Sequence, residues 1–129
     1  MIVLDTHAWL WWVAAPEKLS DPAREAIDSA DTLGVATISC WEIAMLTEAG
    51  RIDLDRDVET WTKQALAGRR IQAKPLTSDI ALRAALLVRA GFQGDPADRI
   101  VYATARGAGA DLITKDRALR KFDPRGTVW

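Results

Sequence analysis

Five acidic side chains stand where the chain passes from a short apolar run into a helical one. Asp5 closes MIVLD, Glu42 closes GVATISCWE, Asp95 and Asp98 lie in GDPADRIVYATA, and Asp116 closes DLITKD. Carboxylates placed in this way could share a hard divalent cation, magnesium or manganese, which takes oxygen ligands, keeps several waters and needs only one or two direct carboxylates. A cation held so lowers the pKa of a bound water and stabilises charge on a phosphate, the chemistry of metal-assisted phosphodiester hydrolysis. Each acid also has a structural explanation. Asp5 or Thr6 can cap a first helix, Ser39 and Glu42 have the S-x-x-E spacing of a capping box, Asp95 precedes a proline suited to the first helical position, and Asp116 can begin a last helix. A carboxylate in a helix's first turn gains about 0.3 to 1 kcal/mol from the free amides and the macrodipole. Capping accounts for the acids one at a time. If they converge, like charges raise one another's pKa and oppose folding until something neutralises them.

Other chemistries have less to work with. The single cysteine, Cys40, and single histidine, His7, allow neither an intramolecular disulfide nor a four-ligand Cys/His zinc site, so a metal must be held by oxygen. His7 reads as a structural group in a first helical turn, and Cys40 as a small buried residue. There is no P-loop, G-x-S-x-G elbow or zinc motif, and GAGAD at 107–111 reads as a helix stop. A haloacid-dehalogenase-like phosphatase would also start from a strand-end aspartate, here Asp5, used as nucleophile. It wants a second aspartate two residues on, where His7 stands. A non-catalytic RNA- or protein-binding domain, its acids serving only as caps, is the other alternative. Tryptophans can stack RNA bases, but at helical spacing they more often bury themselves. Trp9 and Trp12 share a helix face and Trp11 points elsewhere, so one side is expected to pack inward and another to meet a partner.

The elements that must carry these residues alternate. Short apolar runs at 2–4, 34–37, 71–76 and 111–114 read as buried strands, with Pro75 placing the third near an edge or strand end. Helical spacing occupies 20–30, 39–49, 57–69, 78–90 and 96–108. Such alternation implies a parallel sheet covered by helices on both faces through right-handed crossovers. Parallel strands end on one edge, and ligands bind in the crevice there. Asp5, Glu42 and Asp116 are expected at that edge, with Asp98 beside them in a helix's first turn.

With 129 residues the sequence fits one domain, 1–129. Its net charge of -1 conceals an asymmetry: residues 1–50 hold eight acids and two bases, the remainder ten acids and fifteen bases. That permits a basic surface beside an acidic one, suited to holding a polyanion over a metal-filled pocket. Arg99, Lys115 and Arg117, with Arg120 and Lys121 nearby, are candidates for phosphate contacts. The longest apolar stretch, AWLWWVAA, is too short to span a bilayer, so no membrane association is expected and a cytoplasmic location is.

Taken in order, VLDTHAWLWW, ATISCWEIAML, DPADRIVYATA and LITKDRALRKF resemble the PIN-domain family, and within it the VapC-type toxins, nearly from end to end. The resemblance implies a three-layer α/β/α domain around a parallel sheet of four or five strands. It implies a magnesium site made by Asp5, Glu42, Asp98 and Asp116, with Asp5 and Asp98 binding most directly and Glu42 and Asp116 through water. Thr6, Ser39 and Thr114 would support these acids by hydrogen bonds, and Asp95 would act as a cap before any outer role. It further implies a metal-dependent endoribonuclease, with manganese able to substitute, that cleaves tRNA, rRNA or mRNA and arrests translation. A small VapB-like antitoxin would inhibit it, and the toxin would form a homodimer.

Overall fold

The computed structural model describes residues 1–129. Strands β1 (Ile2–Leu4), β2 (Leu33–Ala36), β3 (Ile71–Lys74), β4 (Asp111–Ile113) and β5 (Thr127–Val128) form a single five-stranded sheet in the order β3-β2-β1-β4-β5. Every pairing is parallel, with Leu4 opposite Val35 on one side and Ile113 on the other. Helices α1 (Thr6–Ala14), α2 (Asp21–Ser29), α3 (Thr37–Glu48), α4 (Val58–Leu66), α5 (Ser78–Leu86), α6 (Pro96–Gly107) and α7 (Arg117–Phe122) connect the strands, with single 3-10 turns at Pro16–Lys18 and Leu87–Ala90.

Strand alternation sorts the side chains into two cores. Leu4, Leu33, Val35 and Ile113 pack on one face with Trp9 of α1, Ile27 of α2, Ile43 of α3 and Trp61 of α4. Val3, Ala36 and Leu112 pack on the other with Val101, Tyr102 and Ala105 of α6 and Leu119 of α7. α5 lies against α6. These are the expected three layers. The first three strands run from the sheet centre to one edge, and the chain then crosses β1 to lay down β4 and β5. The strand order therefore reverses between β1 and β4, and the crevice past their C-terminal ends is where such sheets bind ligands.

Several boundaries differ from expectation. The second strand is 33–36, not 34–37, because Thr37 already opens α3. Ser39 is thus inside the helix and fully buried, and the capping box expected of Ser39 and Glu42 does not form. Ala36 holds the cap position without a side-chain bond. α4 is shorter than 57–69, starting with Asp57 as cap and stopping before Gly68. The helix expected over 78–90 tightens to a 3-10 turn and ends on Gly91, whose φ of 97° few other residues adopt. β3 stops one residue before Pro75 and lies at the sheet edge. GAGAD does end α6: the Ala110 amide reaches back to Ala105, the Gly109 amide to Arg106, and Gly109 has a φ of 62°.

Candidate active site

Asp5 is the first residue past β1 and the cap of α1, with its backbone amide bonded to the Ile113 carbonyl of β4 at 2.9 Å. Both carboxylate oxygens are fixed. Oδ1 accepts from the Thr6 amide at 2.8 Å, and Oδ2 accepts from the Thr114 hydroxyl at 2.6 Å. Thr114, buried at the end of β4, also accepts from the Asp116 amide at 3.1 Å. Thr6 does not cap; its hydroxyl turns to α3, donating to Glu42 Oε1 at 2.5 Å and lying 2.8 Å from Ser39 Oγ. Because Thr6 has one hydroxyl hydrogen, given to the carboxylate, Ser39 is the donor in the second contact. Three buried hydroxyls thus hold Asp5 and Glu42 in place from β4, α1 and α3.

Asp116 caps α7, its Oδ1 accepting from the Ala118 and Leu119 amides at 2.7 and 3.1 Å. Asp95 occupies the cap position of α6, but its side chain accepts no capping bond, so the expected role as a cap is positional only. Asp98 is in the first turn of α6. Burial, together with the charges of Asp5, Glu42, Asp116 and Asp95, pushes its pKa up to about 7. Burial also raises Asp5 against the opposing hydrogen bonds of Thr114 and Thr6, and raises Glu42 against that of Thr6. The acids from four separate junctions therefore feel one another across one sheet edge.

They converge without closing, since no three acidic, histidine or cysteine side chains stand close enough to make a ready-formed cage. None of the four ion pairs of the protein includes Asp5, Glu42, Asp95, Asp98 or Asp116. The donors are all oxygen, the set that magnesium and manganese prefer. His7 is exposed and packs on the Trp11 ring, close enough to Asp5 and Glu42 for its charge to favour their ionised forms.

Of the bases expected to meet phosphate, Arg99 is tied back by its Nε to the Gly94 carbonyl at 3.0 Å. Lys115 and Arg117 are exposed, and Lys115 Nζ lies 5.5 Å from the centre of the Trp11 ring. Arg120 instead has its Nε buried without a partner. On the first helix Trp9 is fully buried edge-on against Trp61 at 5.3 Å, and Trp12 is half-buried against the same core. Two features of this region were not anticipated from sequence: Trp129, seated against Trp11, and the strand β5 that carries it there. The aromatic ending TVW was the available signal.

A parallel sheet in this strand order, between two helical layers and with acids gathered where the order reverses, is the architecture of a PIN-like α/β/α protein. The PIN domain family model matches residues 2–124, and the chain belongs to that family. It is 44% identical over 130 residues to Ribonuclease VapC22 of Mycobacterium tuberculosis (strain ATCC 25618 / H37Rv), an alignment spanning 99% of this chain and 98% of that protein. Among solved structures, a toxin–antitoxin complex from Klebsiella pneumoniae superposes with a TM-score of 0.69 at 19% identity, covering 100% of this chain and 97% of the other. VapBC2 from Rickettsia felis, bound to a DNA fragment from its promoter, gives 0.64 at 13% identity, covering 98% and 97%. At these identities the two structures speak for the fold.

Proposed function

We propose that this protein is a divalent-metal-dependent endoribonuclease and the toxin of a VapBC-type pair, acting as a single domain over residues 1–129. The observation that carries the reading is Asp98, a carboxyl held near a pKa of 7 by burial and by surrounding acids, none of which is in an ion pair. A site of this kind is completed by a cation. Asp5, Asp98, Glu42 and Asp116 would hold it, magnesium by preference and manganese as substitute, Asp5 and Asp98 directly and the other two through water. Bound there, the ion would neutralise the acids, activate water and stabilise charge on a scissile phosphate.

The protein's own contribution is orientation. Thr114 and the Thr6 amide fix Asp5, each leaving its oxygen a free lone pair, while Thr6 and Ser39 aim Glu42. Asp116 gives Oδ1 to the amides of α7 and keeps Oδ2 for water. Asp95, which accepts no capping bond, is available as an outer acceptor. Lys115 and Arg117 follow Thr114 closely and are exposed to meet an RNA strand.

The resemblance to Ribonuclease VapC22 supports RNA as the substrate class, and the toxin–antitoxin complexes support an inhibitory protein partner. A shallow apolar cleft of about 330 Å³, lined by Ile38, Trp41, Leu76, Pro96 and Ile100, lies between α3 and the start of α6, the helices that carry Glu42 and Asp98. An antitoxin segment seated there would cover the acids. We also propose the homodimer that the family resemblance implies, and action in the cytoplasm; no helix is long and apolar enough to cross a membrane. The test is cleavage of cellular RNA by the purified protein. Cleavage should appear with magnesium or manganese and stop on chelation; cleavage undiminished by chelator would refute the reading, and an aspartyl-phosphate on Asp5 would replace it with phosphatase chemistry.

A further inference from the structure

An aromatic and cationic cluster lies beside the acids, and of its members only Lys115 has a part in this chemistry. The half-buried Trp11 indole has its centroid 5.6 Å from the His7 imidazole and 5.8 Å from the Trp129 indole. Two ammonium groups sit over the same ring, Lys115 Nζ at 5.5 Å and Lys18 Nζ at 5.9 Å from its centre. Helical side chains lean toward the N-terminus of their helix, so the Trp11 ring is directed back toward the start of α1, where Asp5 is. Lys115 stands between Thr114, which holds Asp5, and Asp116. Trp129 follows Val128, whose carbonyl accepts from the Thr114 amide at 3.1 Å. Three separate stretches of chain thus bring the cluster against the acid edge.

Its chemistry is that of a strand with planar bases and regular negative charge. His7, Lys18 and Lys115 are exposed, and neither lysine is in an ion pair. Half-buried indoles can take bases by stacking, and ammonium groups held near a ring are placed for phosphates. An edge crowded with carboxylates repels a polyanion, and two free ammonium groups beside it offset that repulsion.

Resting on the ribonuclease reading, we propose that His7, Trp11, Trp129, Lys18 and Lys115 form a binding subsite for single-stranded RNA flanking the cleavage site, the rings taking bases and the lysines phosphates. The test uses the full-length Asp5→Asn protein with magnesium and a fluorescently labelled single-stranded RNA oligomer of mixed sequence, read by anisotropy. In that background Lys18→Glu and Trp129→Ala should each weaken binding about tenfold, Lys18→Glu should lower the salt slope by about one, and Lys63→Glu on α4 should stay within about twofold. In the otherwise native protein, Lys18→Glu should raise KM and leave kcat unchanged. Lys18 is exposed, so its substitution keeps the test intact if Trp129→Ala unfolds. Unchanged RNA affinity in Lys18→Glu, or a loss equalled by Lys63→Glu, overturns the subsite, as does preference of the same residues for a polyglutamate peptide over RNA. If the native protein cleaves RNA while Lys18→Glu binds normally, the subsite falls and the nuclease reading stands. If it fails to cleave but Asp5→Asn binds RNA with the expected dependence, the nuclease reading falls and the subsite stands.

Discussion

Asp98 concentrates the electrostatics of the molecule in one side chain. Its pKa is pushed from an ordinary 3.8 to about 7 by burial and by Asp5, Glu42, Asp116 and Asp95, so the native state keeps a proton that the unfolded chain releases at much lower pH. The sign follows from linkage: stability from this group is fully present below about pH 4 and is lost as pH rises to about 7. Asp5 and Glu42, both raised by burial, act in the same direction. Thermal melts in chelator should therefore give a lower Tm at pH 8 than at pH 5, with magnesium restoring the loss at pH 8. Asp98→Asn should raise the metal-free Tm at pH 8 and lose the response to magnesium. A metal-free Tm that climbs with pH over this window would contradict the assignment. Asp98 could be proposed from DPADR taken with the other motifs, but its raised pKa could not, because apart from Asp95 the acids responsible come from distant parts of the sequence.

At the scale of elements, the support for the site is a set of buried hydroxyls joining α1, α3 and β4. Thr6 links α1 to Ser39 and Glu42 of α3, and Thr114 links β4 to Asp5. Thr6→Val removes the donor to Glu42 and leaves Ser39 buried without its partner, so a loss of about 1 to 3 kcal/mol is expected in urea denaturation. Thr6→Ser should recover most of it. The strands and helices that bury periodic apolar faces were legible in sequence to within a few residues, because that periodicity is local. Ser39 was not, since the S-x-x-E spacing signals a cap only if the helix starts there, and packing starts it at Thr37 instead. Asp95 makes the same point, being correctly placed as a cap yet making no capping bond. A fifth strand was allowed for, but β5 was not located because two residues carry no period; its place is fixed by register with β4 and by contacts around Asp123. There Tyr102 donates to Asp123 Oδ2 at 2.8 Å, the Gly126 amide donates to Oδ1 at 2.9 Å, and Arg106 Nη1 approaches to 3.6 Å. A Cβ at Gly126 would collide with the Asp123 carboxylate and lie 2.8 Å from Arg106 Nη1. Gly126→Ala should loosen β5, with a cost of about 1 to 3 kcal/mol and faster amide exchange at Thr114, whose partner is the Val128 carbonyl.

The whole molecule is organised around the reversal of strand order between β1 and β4. That topology makes a 129-residue chain deliver acids from residues 5, 42, 98 and 116 to one edge, and it places the Trp11 cluster on the same edge. Packing buried Trp9 fully and left Trp11 half-buried against Trp129. The central claim is that these acids act as one cation site for cleaving RNA. It is tested most directly by RNA cleavage rates for the native protein and for folded Asp98→Asn across a magnesium titration. The native rate should rise with magnesium to saturation, and the rate of Asp98→Asn should stay at least about a hundredfold lower at every concentration. A native rate indifferent to magnesium, or Asp98→Asn matching the native protein at any concentration, would contradict it.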